Sequence, residues 1–416
     1  MKKFFVLWTS QAASMLGSSV VGFALAWYLA RETGSATILS TAMLVNIIPQ
    51  IVLGPFIGPF IDRWNRKTIL IYSDLITAVF TLALVVLFYT DTVQVWHIYV
   101  IMAGRSAGAA FQFPALGASI SMIVPEKHLA RANGLNMTLR GAVNIVGPPV
   151  GAFLIETLEM HWVLSVDIIT AAIAIGCLLP LAIPQPPRTT LPTKPGIFGD
   201  MVQGFRYIAA WRGLVLLLIL FAVLNFFAAP GNSLFPLFVT NYLGGDVFKL
   251  GWLQTAMGAG IIAGGLILGV WGGFTRRIVT CLTFVILQSI AIIAFSFTTE
   301  NLFFFGLAMV FIAGMCGAFI NGPLTAIFQS VVAKDAQGRF FALVGSISGA
   351  MMPLGLLVAG PLADAIGVRL TFLISAAAIF IFTSAGFFSR DLMNLENKKS
   401  IEEPAAAKKP IPKPEP

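Results

Sequence analysis

Gly54–Leu70 reads GPFIGPFIDRWNRKTIL: an apolar run, then one acid and a cluster of bases around a short turn, then a second apolar run. Gly54 and Gly58 are four apart and so share one helix face, where the missing side chains allow a neighbouring helix to approach closely. Asp62 falls where that helix meets the aqueous boundary, and Arg63, Arg66 and Lys67 follow it. Such a turn between two long apolar runs suits a multi-pass membrane protein, in which bases concentrate on the cytoplasmic side.

The pattern returns 211 residues later. Gly265 and Gly269 match Gly54 and Gly58, Gly273 stands in place of Asp62, and Arg276–Arg277 fall near Arg66–Lys67. A second echo pairs Arg131-x9-Gly141-x5-Gly147 with Arg339-x9-Gly349-x5-Gly355 at an offset of 208. Two echoes at nearly one offset predict a second half that repeats the first in the same orientation.

Composition agrees. The chain has 416 residues, 57% hydrophobic and 11% charged, against roughly 25% charged in soluble domains. The net charge of +8 raises the question of nucleic acid, but no stretch is dense enough in Lys and Arg to form a phosphate stripe, and no nucleic-acid partner is expected. Cys177, Cys281 and Cys316 lie inside apolar runs without metal-ligand spacing, and they read as small core residues. The N-terminal MKKFFVLW resembles a signal n-region, yet the apolar run continues to about Leu29 with no small-residue cleavage site, so a retained first helix is expected.

About 20 apolar residues are needed to cross a bilayer, and that rule predicts twelve spans in an all-α membrane fold. They cover 4–29, 36–61, 69–89, 96–123, 137–157, 162–183, 213–239, 250–271, 278–297, 302–328, 340–363 and 366–388. The domains follow: a six-helix bundle over 1–183, a cytoplasmic linker with an amphipathic helix over 184–212, a second bundle over 213–388, and a disordered cytoplasmic tail over 389–416. With the N-terminus inside, the cytoplasmic segments hold 21 of the 26 Lys and Arg, and only Arg31, Lys249 and Arg369 lie opposite. Both termini are therefore expected in the cytoplasm, with the protein in the inner (plasma) membrane.

Ionisable groups within a span cost roughly 2.5–3.5 kcal/mol on insertion scales and are functional candidates by default. Asp74, Arg105, Arg140 and Asp167 lie inside spans of the first half, whereas Asp246, Glu300 and Asp364 sit near span ends of the second. If transport is proton-driven, Asp74 and Asp167 are the candidate coupling carboxylates; otherwise they are structural partners of an Arg or of backbone amides. Arg105, Gly108 and Gln112 share one face of span 4. Arg105 could anchor an anionic group or hold Asp167 ionised, and Arg140 can snorkel to the cytoplasm. Gln11, Asn225, Asn232 and Asn321 either hydrogen-bond a substrate or join helices. A cavity rich in Phe and Met, with few charges, suits bulky amphipathic molecules.

Twelve spans in two parallel halves, a cytoplasmic middle loop and G-x3-D-R-x2-R-K over 58–67 resemble the major facilitator superfamily up to the tail. ETGSA (32–36), RSAGAAFQFPA (105–115), VPEKHLARANG (124–134) and GRFFALVGSISG (338–349) are similar to its drug:proton antiporter branch, which holds macrolide-efflux proteins and the enterobactin exporter. Gly147-Pro148-x2-Gly151-Ala152 resembles the Gly-Pro-x2-Gly-Gly packing element of superfamily antiporters, with Ala for the last Gly. The resemblance implies that Asp62, with Gly54, Gly58, Arg63, Arg66 and Lys67, forms a conformational gate in which the carboxylate meets the positive N-terminal end of span 11. The alternative for Asp62 is an interfacial salt bridge with Arg63 or Arg66.

The expectation is a monomeric secondary exporter of lipophilic, macrolide-like small molecules in exchange for protons, working by alternating access and without a cofactor. A siderophore or metabolite exporter of the same fold is the alternative, and a non-transporting sensor or scaffold is the reading from another class. Three His near helix ends, no metal-ligand cluster and no nucleophile–base set argue against an enzyme, and no G-x4-G-K-[ST] loop for ATP occurs.

Overall fold

The computed structural model describes residues 2–184, 212–331 and 337–395. The described residues are helical almost throughout. The first half holds α1 (Lys2–Thr33), α2 (Ala36–Arg63), α3 (Arg66–Tyr89), α4 (Val95–Ile123), α5 (Glu126–Thr157) and α6 (Met160–Leu178). The second holds α7 (Arg212–Ser233), α8 (Phe235–Tyr242), α9 (Val247–Trp271), α10 (Arg277–Ser296), α11 (Phe303–Val331), α12 (Gln337–Ile366), α13 (Val368–Phe388) and the short α14 (Arg390–Met393).

Local chemistry sets the boundaries. Ser35 caps α2 by accepting from Ile38 N at 3.3 Å, and Asn65 caps α3 by accepting from Lys67 N at 3.0 Å. Asp246 caps α9, and Gly272 ends that helix at φ +78°, a conformation suited to glycine.

Among the described residues, eleven helices are long and apolar enough to cross a membrane. The twelfth long helix is α4, whose 29 residues dilute its hydropathy with Arg105, Ser106 and Gln112. The halves repeat in their packing as well as in sequence. In the first, α1 lies on α5 and α6, α4 on α2 and α3, and α3 on α6. In the second, α7 lies on α12 and α13, α11 on α9 and α10, and α10 on α13, so each pairing recurs. The chain is thus an all-α membrane protein of twelve spans in two parallel six-helix repeats.

Three details depart from the expected spans. The seventh breaks at Leu234, after which Pro236 in the first turn of α8 starts a new helix. Helix α5 begins at Glu126 rather than 137, because the polar stretch EKHLARANG extends the helix beyond the apolar run. The first residues of the tail are docked: Ser389 caps α14, and Leu392 and Leu395 are buried in a cluster with residues of α7 and α10. The linker over 185–211 and the tail from 396 lie outside the described residues, as do the side chains of Asp62, Arg63 and Arg140 and the surroundings of Gly58.

Where the halves meet decides the shape of the site. The N-terminus marks a near end of the bundle, and the α1–α2 and α7–α9 connections mark the far end. At the far end one core cluster joins both halves, with Leu25, Leu29 and Leu39 packed together with Leu237, Phe238, Val247, Phe295 and Phe372. Phe238 sits 4.7 Å from Phe295 and 5.6 Å from Phe372, centroid to centroid. At the near end the clusters stay apart: that of Phe4, Leu7 and Leu70 is confined to the first half, and that of Leu214, Leu282 and Phe328 to the second. Among the described residues, the halves are closed at the far end and separate at the near end.

Candidate functional site

Helices α1, α3, α4 and α6 bury two carboxylates in the first half. Asp74 on α3 is 2% exposed. Its carboxylate accepts from Gln11 Nε2 at 2.9 Å and Ser14 Oγ at 2.7 Å, both on α1, and from Gln112 Nε2 of α4 at 2.8 Å. Gln112 Nε2 also lies 3.1 Å from Gln11 Oε1. An unpaired carboxylate in an apolar interior is expensive, and three donors offset much of that penalty.

About two turns farther along α3 the second carboxylate is held differently. Asp167 of α6 is fully buried and forms an ion pair with Arg105 Nη1 of α4. Thr81 Oγ1 bonds Asp167 Oδ2 at 2.8 Å and also accepts from Arg105, while Ser18 Oγ of α1 donates to Asp167 Oδ1 at 2.9 Å. Ser14 and Ser18 are one turn apart on α1, so a single helix presents a hydroxyl to each carboxylate. Between the two acids, Ser73 Oγ donates to Gly108 O at 2.6 Å and Thr77 Oγ1 to Ser73 O at 3.0 Å. A cavity of about 310 Å³ opens beside this seam, with Ser18, Asn46, Gln50, Thr77, Arg105 and Ser106 among its lining.

Arg105 and Asp167 are therefore brought together, as one of the two sequence readings of Arg105 allows. Arg105 also borders the cavity, but Gln11 is fully buried and engaged with Asp74. The Arg105–Gly108–Gln112 face of α4 looks chiefly onto α1, α3 and α6, and meets the cavity only at its Arg105 end. In the second half, Asn225, Asn232 and Asn321 each donate back one turn to a carbonyl of their own helix, at 2.8, 3.1 and 2.9 Å. Asn232 and Asn321 are exposed, whereas Asn225 is half-buried.

The expected gate and packing residues divide by end. Among the described residues, a Cβ added at Gly54, Gly265 or Gly269 would meet nothing within 4 Å in this conformation. Arg66 donates to Ala118 O at 2.7 Å and Lys67 Nζ to Leu179 O at 2.5 Å, pinning the near ends of α4 and α6. At Gly147 a Cβ would fall 2.2 Å from Ser19 Oγ, and at Gly151 2.8 Å from Phe23, which places both against α1. One turn of α5 therefore faces two partners, because the carbonyl of Pro148 lies 3.4 Å from where Gly251 of α9 would carry a Cβ.

Ser14, Ser18, Thr81, Asn46, Gln50 and Ser106 join the site without being singled out by charge or motif in the sequence. A signal existed for Thr81: Ser73, Thr77 and Thr81 recur every four residues in an otherwise apolar span, which marks a polar stripe on α3. Ser14 and Ser18 show the same spacing on α1. Small hydroxyls are common in membrane helices, and only the carboxylates opposite them reveal their use.

Comparison with known proteins follows the same lines. The chain is 32% identical over 377 residues to macrolide efflux protein A of Streptococcus pyogenes, covering 91% of this chain and 93% of that protein. It is 27% identical over 394 residues to the multidrug efflux pump Tap of Mycolicibacterium fortuitum, covering 91% and 94%. Among solved structures, a bacterial homologue of the iron transporter ferroportin in an inward-facing state superposes with a TM-score of 0.72 at 12% identity, covering 95% of this chain and 99% of that one. A transporter of the POT family superposes with a TM-score of 0.72 at 9% identity, covering 93% and 96%. The sequence model of the Major Facilitator Superfamily matches residues 7–234 and again 215–414, and the chain belongs to that superfamily.

Proposed function

We propose that this protein exports lipophilic or amphipathic small molecules of the macrolide type in exchange for protons. The transport fold and the macrolide and multidrug efflux relatives support a drug transporter rather than an enzyme. The observation that carries the proton part is the pair of buried carboxylates, each ringed by donors that stabilise its charge and each next to a cavity or seam between α1, α3 and α4. A carboxylate so placed changes the charge of a dry interior when it binds a proton, which is the handle that an antiporter needs.

Alternating access follows from the contacts between the halves. Rocking one six-helix bundle against the other about the midplane exchanges the far-end closure for one at the near end. With the termini in the cytoplasm, as the distribution of bases supports, the conformation described here faces inward. In this reading Asp62 closes the near end in the opposite state, and the glycine faces of α2 and α9 supply the room. The siderophore or metabolite alternative drew on Arg105 as a contact for an anion. That guanidinium is engaged by Asp167 and Thr81, which favours the neutral or cationic amphiphile.

The test is efflux from cells stripped of their own pumps, using a panel of macrolides and lipophilic cations with and without a protonophore. Energy-dependent exclusion of a macrolide that collapses with the protonophore is the expected result. Exclusion that survives the protonophore would remove the proton from the mechanism. No exclusion of any panel member, with the protein confirmed in the membrane, would remove the drug.

A further inference from the structure

Helices α2 and α12 approach their C-terminal ends with one pattern: Gly58-Pro59-Phe60-Ile61-Asp62 and Gly360-Pro361-Leu362-Ala363-Asp364. The two helices are antiparallel neighbours from opposite halves, so the patterns stand at opposite ends of one pair. For the second pattern the geometry is explicit. Asp364 accepts from Ala36 N at 2.7 Å, Thr37 N at 3.0 Å and Ser35 Oγ at 3.0 Å, all at the N-terminus of α2. First-turn amides have no partner within their own helix, and the helix dipole leaves them positive. A carboxylate brought to them from another element is therefore a fitting cap.

The glycine of the pattern makes that approach possible. A Cβ on Gly360 would stand 2.7 Å from Thr37 Cα and 3.1 Å from Ala36 O, so any side chain there would push α2 away. Half a turn to one turn farther along α2, Ser40 Oγ meets Ser233 Oγ of the second half at 3.3 Å. Asp364, Gly360 and Ser233 thus come from the second half, and the first turns of α2 come from the first.

We propose that Asp364 is the latch of the far end, and that Asp62 and Asp364 are reciprocal latches on one helix pair. The proposal rests on the alternating-access reading above. Each acid belongs to the C-terminal end of its own helix and caps the N-terminal end of the other, with the glycine of its pattern admitting the partner. The α2–α12 pair pivots like a seesaw: closing one end draws the other carboxylate off its amides. The far-end contact is made in the conformation described here, and the near-end contact belongs to the opposite one.

The experiment measures the far-end separation in the full-length chain reconstituted in lipid nanodiscs. Spin labels go on Glu32→Cys and Asn241→Cys, two exposed far-end positions in different halves, after replacement of the three native cysteines. Asp364→Asn is expected to raise the far-open fraction severalfold, and Asp62→Asn to lower it. A distance distribution unchanged by Asp364→Asn while Asp62→Asn shifts it would overturn the far latch and leave alternating access standing. A distribution that neither variant nor a pH step nor added macrolide moves would overturn alternating access, and the latch with it. If Asp364→Asn does not fold, Gly360→Ala keeps the charge but blocks the approach. It should open the far end in the same way, and a wild-type distribution for Gly360→Ala overturns the proposal.

Discussion

Arg105 and Asp167 face each other across α4 and α6, with the Thr81 hydroxyl bonded to both, so that an ion pair stands in the interior of the first half. Removing one member leaves the other charged and unpaired, which costs about 3–5 kcal/mol, whereas replacing both with apolar residues of similar size is close to neutral. Arg105→Met and Asp167→Leu should each lower the melting temperature in detergent markedly, and the double variant should regain most of the loss. Equal melting of the single and double variants would mean that the pair contributes no coupling.

Asp74 is bound by uncharged donors alone, and Asn fills the same volume. Asp74→Asn should leave the protein folded and able to bind a macrolide, while uptake into inverted vesicles driven by an imposed pH gradient falls at least tenfold. Asp74→Leu should also unfold more readily, because each buried donor left without a partner costs about 1–3 kcal/mol. Wild-type exchange by Asp74→Asn would transfer the coupling role to Asp167.

Small residues matter at two seams for different reasons. A Cβ on Gly260 of α9 would lie 2.1 Å from Phe311 O, and one on Gly314 of α11 2.2 Å from Met257 O. Gly260→Val and Gly314→Val should destabilise the second half by about 1–3 kcal/mol through overpacking. Gly54→Val meets empty space in this conformation, so it should melt like the wild type but transport poorly. Thermal unfolding set beside efflux separates the two effects.

The docked start of the tail gives a simpler prediction. Leu392 and Leu395 are 2% and 0% exposed, and burying a leucine contributes about 1.5–3 kcal/mol. A chain ending at Phe388 should melt several degrees lower, and one ending at Leu395 should melt like the full chain. Identical curves for both would show that the short α14 adds no stability.

Much of the architecture was legible because a bilayer leaves so few options. The period of apolar runs, the basic turns and the two offset glycine echoes lead to twelve helices in two repeats. The break at Leu234 was marked by Pro230-Gly231-Asn232-Ser233 and by Pro236, but the apolar run on either side is long enough to read as one span across it. For the site, the cost of burying charge singled out Asp74, Arg105 and Asp167 correctly as interior groups. Their partners Ser14, Ser18 and Thr81 carry no such penalty, and the four-residue spacing that marks their stripes does not show that carboxylates stand opposite them. The opposite error arose for Asp364, which reads as an ordinary acid near a span end until the first turn of α2 is seen against it.

The far-end closure has a bearing on leakage. It is made chiefly of interlocked phenylalanine rings and leucines, with its charged groups, among them Asp364, the Lys249–Glu300 pair and Arg369 over Tyr242, at the margin. Water has little reason to thread such a plug, and without a water file neither protons nor sodium can slip through unaccompanied. A defect there would act as a short circuit: the membrane potential would drain whether or not any cargo moved, and the cell would be harmed by the carrier instead of protected by it.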